Sequence, residues 1–395
     1  VYITAPSGER LGFTFKPEVG TSSAFGAVYR ARFVPDSGVY HTLEIPEGNL
    51  PFLDLRADGN VYLYFFGFPY NPEKYVLTEP GGNRYTYHED KGFLRAEDPN
   101  GNSITLNAGS LRHSAGLSID FARDAEGRIR SILSPDGDSW TFGYSPDGDL
   151  ESVTDPGGRT TTYSYFSDPA HYLDTITDPL GRVPVRYEYD PTDGRLVAMI
   201  DGDGNRTEVA WNPGGFSGSR KSPRGFTSNV TYNDRGNVLQ ETDPDGNTIT
   251  YTYTDTANPD KPTSITGADG ETWDMLYDPM GNPTRITPPI TGVGSANGVA
   301  RLSYDPFGNL TGSRDFKNRI SENSYDERGN LIQQRPAYGK ALEFDLSPEG
   351  HIVRIREDGF YTIDIAYDAN GHPSGVSDLL GYQTGIETRR SGQIK

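Results

Sequence analysis

In "NTITYTYT", residues 247–254, Ile249, Tyr251 and Tyr253 take one side of an alternation and the threonines take the other. A period of two marks a strand whose faces are unequally buried. The same two-step recurs down the chain in stretches of about five to seven residues, the ordinary length of a strand. These stretches are separated by two turn spellings. One is an aromatic followed by Asp, two free positions and Gly, as in Tyr304-Asp305 with Gly308-Asn309 and Tyr325-Asp326 with Gly329-Asn330. The other is Asp-Pro-x-Gly or a variant: "DPGG" (155–158), "DPLG" (178–181), "DGDGN" (201–205), "SPRG" (222–225), "DPDGN" (243–247) and "REDG" (356–359). The predicted unit is strand, turn, strand, turn.

Each letter of the spelling has a physical reason. Aspartate opens a turn by bonding its carboxylate to backbone N–H groups two residues on. Proline is preset for the first central position. Glycine takes the positive φ that a short hairpin loop demands. Asn309 and Asn330, just after, are expected to tolerate the same backbone region.

The spelling keeps a register of about 21 residues. Its aromatic markers are Tyr144, Tyr165, Tyr189, Trp211, Tyr232, Tyr253, Tyr277, Tyr304, Tyr325 and Tyr367, with Arg123 and Leu346 filling two further slots. The turn glycines are Gly127, Gly148, Gly194, Gly215, Gly236, Gly281, Gly308, Gly329, Gly350 and Gly371. Steps between markers run from 21 to 27 residues, and the longest contains the insertion 288–298, predicted to be a protruding loop. Hairpins in tandem would set Tyr232, Tyr253 and Tyr277 side by side as a ladder of half-buried rings with wet hydroxyls.

Residues 87–395 therefore read as a repeat region. Residues 1–86 do not keep the period. "VYITAPSGERLGFTF" (1–15) predicts a hairpin around Ser7-Gly8, with further strands in 27–33, 41–45, 52–56, 61–68 (a buried one) and 74–79. They are read as irregular hairpins leading into the same sheet, with a separate small β domain as the alternative.

Composition narrows the picture. The 47 glycines and 29 prolines are well above average usage, about 12 % for the two together, and break long helices. Apolar residues make up 34 % and mean hydropathy is −0.64, too little for one thick core and compatible with a single sheet wet on both faces. The net charge of −19 argues against nucleic acid. Cysteine is absent, which removes disulfides and thiolate chemistry. No apolar run approaches the roughly 18 residues of a membrane span. Val1 is not an initiator methionine, and the chain reads as a piece of something longer.

Candidate chemistry is sparse. His41, His88, His113, His171, His351 and His372 are scattered and form no HExxH pair. Most aspartates hold turn-opening slots, so no catalytic residue and no metal site is assigned. The strings 201–205 and 243–247 have the alternating oxygens of a calcium loop, with Asp201, Asp203 and Asn205 best placed, but lack its glutamate at position twelve. No other cofactor is implied. The aromatic wealth suits carbohydrate as well as a sheet ladder.

The repeated Tyr-Asp-x-x-Gly-Asn with interleaved Asp-Pro-x-Gly resembles the YD repeats of the Rhs family and of teneurins, well over 123–395 and more loosely over 87–102. The resemblance implies an all-β fold in which tandem antiparallel hairpins form one curved, spiralling single-layer sheet, an open β-shell. It implies a secreted or cell-surface protein. In bacterial members the shell encloses a toxic C-terminal domain, and in teneurins it is an adhesion module. Members that release their cargo end the shell with Asp-Pro-x-Gly-Leu. Here "DPLG" is followed by Arg182 and "DPFG" by Asn309, so the self-cleaving core is not matched.

The expected function is a non-catalytic shell segment that encloses or presents another polypeptide. The partner would be a C-terminal domain of the same longer chain, or copies of itself through open sheet edges. The alternatives are an adhesion or self-assembling surface module and a carbohydrate-binding or carbohydrate-active protein. Sugars on the sequon residues Asn205, Asn229 or Asn309 would favour the adhesion module. Twelve copies of two strands, at ~4.8 Å each, would make a ring ~37 Å across and one strand high. A folded domain of about 100 residues, ~34 Å wide, would not fit inside once side chains are counted.

Overall fold

A computed structural model describes residues 1–23, 26–46, 53–56, 60–63, 67–289, 298–358 and 361–393. These contain 38 strands and one single-turn 3-10 helix, Pro213–Gly215. Thirty-one of the strands form one antiparallel sheet. From Arg84–His88 to Gln383–Gly385 each strand pairs with its neighbours in sequence, and Lys74–Thr78 and Thr42–Glu44 extend the N-terminal side. No ladder among the described residues joins the edge strands Thr42–Glu44 and Gln383–Gly385, so the sheet is open.

The ladders show why the alternation is visible in the sequence. Thr162 faces Thr177, Tyr163 faces Ile176 and Ser164 faces Thr175. One face thus gathers Tyr, Ile, Leu and Val, while the other gathers Thr, Ser and charged residues. On the polar face hydroxyls meet across strands, as in Thr154–Thr160 at 2.9 Å and Thr266–Thr272 at 2.8 Å. Of the buried apolar side chains, all but Ala198 lie before residue 78. Among the described residues, the repeat region beyond Tyr87 is therefore one layer without a second sheet packed on it.

The first part of the chain is built differently. Tyr2–Thr4, Arg10–Phe15 and Phe33–Pro35 form a three-stranded sheet. Its Ile3, Leu11, Phe13 and Phe33 pack on Leu43 and Leu77 of the long sheet, making a true two-layer core. Glu18–Ser23, Gly26–Arg30, Leu53–Leu55 and Val61–Leu63 form a third sheet. Residues 27–33, expected to be one strand, are broken after Arg30 because the chain leaves the third sheet for the three-stranded one. The buried strand expected over 61–68 is also corrected. Its described part, Val61–Leu63, is half-buried, Phe68 is exposed, and 64–66 fall outside the described residues. Most of the insertion 288–298 likewise lies outside them.

The long sheet coils onto itself. The side-chain amides of Asn100 and Asn330 exchange hydrogen bonds of 2.9 and 2.8 Å. Asn102 Nδ2 donates to the Glu349 carbonyl at 2.8 Å, and the Ser391 N–H donates to Asp136 Oδ1 at 2.9 Å. Turns on the rim of one revolution thus rest against turns 230 to 255 residues later. That spacing corresponds to about 21–23 strands, hence a circumference of about 100 Å and a width of about 32 Å between backbones. The spiralling open sheet that the resemblance implies is what forms, its revolutions overlapping instead of closing into one ring, since a twisted open sheet coils more readily than it closes.

Candidate functional site

The repeat's tyrosine–aspartate corner is the recurrent polar constellation of the molecule. At residues 304–309 the Gly308 N–H donates to the Asp305 carbonyl and the Asp305 N–H to the Asn309 carbonyl, both at 3.0 Å. Asp305 Oδ1 accepts from the N–H groups of Phe307 and Asn309, and Oδ2 accepts from Asn309 Nδ2, all at 2.9 Å. Gly308 sits at φ 86°. The ladder slips by one residue between Ser303 and Tyr304. This is a three-residue hairpin loop closed by a glycine bulge.

Of the turn glycines in the repeat register, Gly127, Gly148, Gly194, Gly236, Gly281, Gly308, Gly329, Gly350 and Gly371 all have φ between 72° and 99°. Gly215 does not. It lies in the 3-10 turn, where Asn212 Oδ1 accepts its N–H, and Phe216 takes the left-handed position at φ 47°. Asn309 and Asn330 were expected to share the unusual backbone, yet neither has a positive φ. Their role is to donate Nδ2 to the turn aspartate. Arginine fills that place elsewhere, as in Arg159 on Asp155 and Arg182 on Asp178.

Such bonds hold the carboxylates of Asp155, Asp178 and Asp201 below the usual range. For Asp178 and Asp201 the leading cause is the side-chain donor, Arg182 or Asn205, and for Asp155 it is the Arg159 backbone N–H. Asp201 Oδ1 accepts from the N–H groups of Asp203 and Asn205, and Oδ2 from Asn205 Nδ2. A calcium ion there would have to displace these bonds. No cluster of three or more His, Cys, Asp or Glu placed to hold a metal occurs among the described residues.

The tyrosine half of the corner differs from expectation. The hydroxyls are not left to water. Tyr144 donates to the Ile129 carbonyl, Tyr165 to Leu150, Tyr253 to Val238, Tyr325 to Leu310 and Tyr367 to Ile352, at 2.9–3.0 Å and fifteen residues back each time. Tyr189, Tyr277 and Tyr304 make the same bond to Leu173, Pro262 and Pro283. Each tyrosine thereby pins its hairpin to the preceding one. Burial raises the phenol pKa of Tyr165, Tyr189, Tyr253, Tyr277, Tyr304 and Tyr367. Nor do the markers form a continuous ring ladder. Among the described residues, Trp211 and Tyr232 are the neighbouring markers whose rings stack, at 5.9 Å and 22°. Tyr325→Phe is expected to cost up to about 1 kcal/mol, read from urea denaturation, by removing one of the two side-chain donors of the Leu310 carbonyl and leaving only Asn323 Nδ2.

Sequence reasoning also missed the seam residues Asn100, Asn102 and Asp136. The adjoining cleft between revolutions brings His113 near His351, which are far apart in the chain. His351 stacks on Tyr367 at 4.8 Å.

The fold and its corners define a tandem-hairpin repeat sheet. The RHS Repeat family model matches four overlapping or neighbouring stretches of the chain, residues 123–160, 144–183, 168–206 and 232–258. No curated protein matches this sequence. Among solved structures, the chain resembles one in the Photorhabdus luminescens Tc holotoxin pore with a TccC3 mutation, at TM-score 0.53 and 13 % identity. That likeness covers 90 % of this chain and 22 % of the other. It also resembles the crystal structure of TcdB2-TccC3-TEV, at TM-score 0.52 and 12 % identity over 98 % of this chain and 24 % of that one. At such identities the likeness is one of fold. The chain spans less than a quarter of either relative's length.

Proposed function

We propose that this chain is a wall segment of a larger secreted or cell-surface shell that encloses another polypeptide and carries out no catalysis itself. The observation that carries this reading is the thirty-one-strand layer coiling over itself at the Asn100–Asn330 seam, with no second sheet packed on the described residues beyond Tyr87. A revolution about 32 Å across leaves roughly 22 Å free once ~10 Å of side chains is allowed. That lumen takes an extended polypeptide but not a folded domain of about 100 residues. The turn carboxylates, the commonest candidate acids, are occupied by their own turns, which supports a structural role. The fold shared with TccC3-containing toxin structures supports a protein as the enclosed partner.

Limited proteolysis of the natural polypeptide containing this segment tests the proposal. A second stretch of chain should survive while the sheet is intact and be digested once it is opened. If nothing is protected, the shell reading fails. The self-assembling alternative has its own support in the edge strand Gln383–Gly385, which lies beside the exposed Leu379, Leu380 and Tyr382. Concentration-dependent light scattering without any protected segment would favour it.

A further inference from the structure

The tyrosine line is interrupted once in a way that creates a cleft. Trp211 occupies a marker slot, and an indole has no hydroxyl to give to the carbonyl fifteen residues back. Its ring instead lies 57 % exposed and stacked on Tyr232. Gly218, directly across the ladder, makes room for it, since a Cβ there would approach the indole to 3.2 Å. The rung continues from Gly218 to Val230, then Glu241, then Ile249. All five residues share one face. An aromatic platform and a carboxylate thus stand about three strand spacings apart, about 14 Å, over a floor of glycine and valine. They line a cleft of about 750 Å³, the size of a ligand site.

The charges around the cleft select its occupant. Glu241, Asp243 and Asp269 line it against one guanidinium, Arg220. Asp243 is committed to its turn. Glu241 receives only a long contact of 3.4 Å, from the Tyr251 hydroxyl. The face of an indole attracts cations, and tryptophan does so best. An acidic chain of net charge −19 adds long-range attraction for the same sign. We propose that this cleft binds the basic side chains of an extended polypeptide segment, a lysine or arginine lying across Val230 with its charge between the Trp211 ring and Glu241. The inference rests on the shell reading only for where such a segment comes from.

The test is titration of the chain with a flexible Gly/Lys/Arg peptide, its Gly/Glu counterpart and maltohexaose, read by tryptophan fluorescence and calorimetry at about 150 mM salt, where diffuse attraction is largely screened. The basic peptide is expected to saturate one site. Trp211→Ala and Glu241→Gln should each weaken it about tenfold. Trp273→Phe, at a tryptophan outside the cleft and packed edge-on against Phe316, should not. Trp211→Tyr restores the residue of the other slots, so it should fold and bind more weakly than the native chain. Binding untouched by the Trp211 and Glu241 variants, binding of the sugar in place of the peptide, or no peptide binding would each overturn the site. A protected segment in the natural protein alongside a cleft that binds nothing would overturn this inference alone. Peptide binding without any protected segment would overturn the shell alone.

Discussion

Between pH 10 and 12 the long sheet is expected to lose its strand signal in circular dichroism as its tyrosines ionise, with the phenolate absorbance rising in the same transition. The sign follows from the direction of the shifts. An unfolded tyrosine titrates near 10. In the folded chain, burial raises the phenols of Tyr165, Tyr189, Tyr253, Tyr277, Tyr304 and Tyr367 above their ordinary value. Tyr85 is pushed up to about 12 by burial and by the nearby Glu79. The folded state therefore holds these protons more tightly than the unfolded one. Their stabilisation is complete below pH about 10 and disappears as the pH climbs through the folded values. Ionisation also turns a donor into an acceptor, placing a negative oxygen against the carbonyl it had bonded in the preceding hairpin. Because that bond recurs along the line of hairpins, the loss should be cooperative. A sheet that keeps its strand signal at pH 12 while its tyrosines titrate freely would show that the hydroxyl bonds do not hold the hairpins together.

What could be read from the sequence depended on how far apart the interacting residues lie. The Asp305–Asn309 corner is legible because its demands are met within five residues. A carboxylate caps two N–H groups, and a glycine carries φ 86°. The Tyr325 hydroxyl's partner, Leu310, belongs to another hairpin and is fixed by ladder register, which the spelling does not encode. The 3-10 turn after Asn212 was obscured by two consecutive glycines that suggested the ordinary corner, while the left-handed residue is Phe216. The seam was invisible for a stronger reason. Asn100 and Asn330 meet only because the coil brings back a turn 230 residues later, and the curvature is a summed effect of many strands. The pairing of the N-terminal strands was not legible because they interleave. Phe33–Pro35 pairs with Arg10–Phe15, whereas Gly26–Arg30 pairs with Leu53–Leu55.

That interleaved region makes the second large effect local. Leu77 has no exposed surface and packs in the cluster of Ile3, Leu11, Phe13, Phe33 and Leu43. Its strand pairs Leu77 with Tyr85 on one side and with Leu43 on the other. Truncating such a leucine to alanine removes transfer energy and leaves a cavity, together about 2–5 kcal/mol. In a protein with one core that loss would be shared by the whole chain. Here the hairpins beyond Arg84 draw their stability from neighbours in the sheet, as repeat arrays do, and the core touches only the first of them. Leu77→Ala is thus expected to split thermal unfolding into two transitions, the earlier one lowered and the later one nearly unmoved. Limited trypsin digestion should remove the first 70 or so residues while the repeat region persists. Tyr325→Phe, a change inside the repeat region, should leave the earlier transition in place. A single transition displaced as a whole by Leu77→Ala would mean that the two-layer start and the coiled sheet fold as one unit, and an unchanged melt would mean that Leu77 is not in the core.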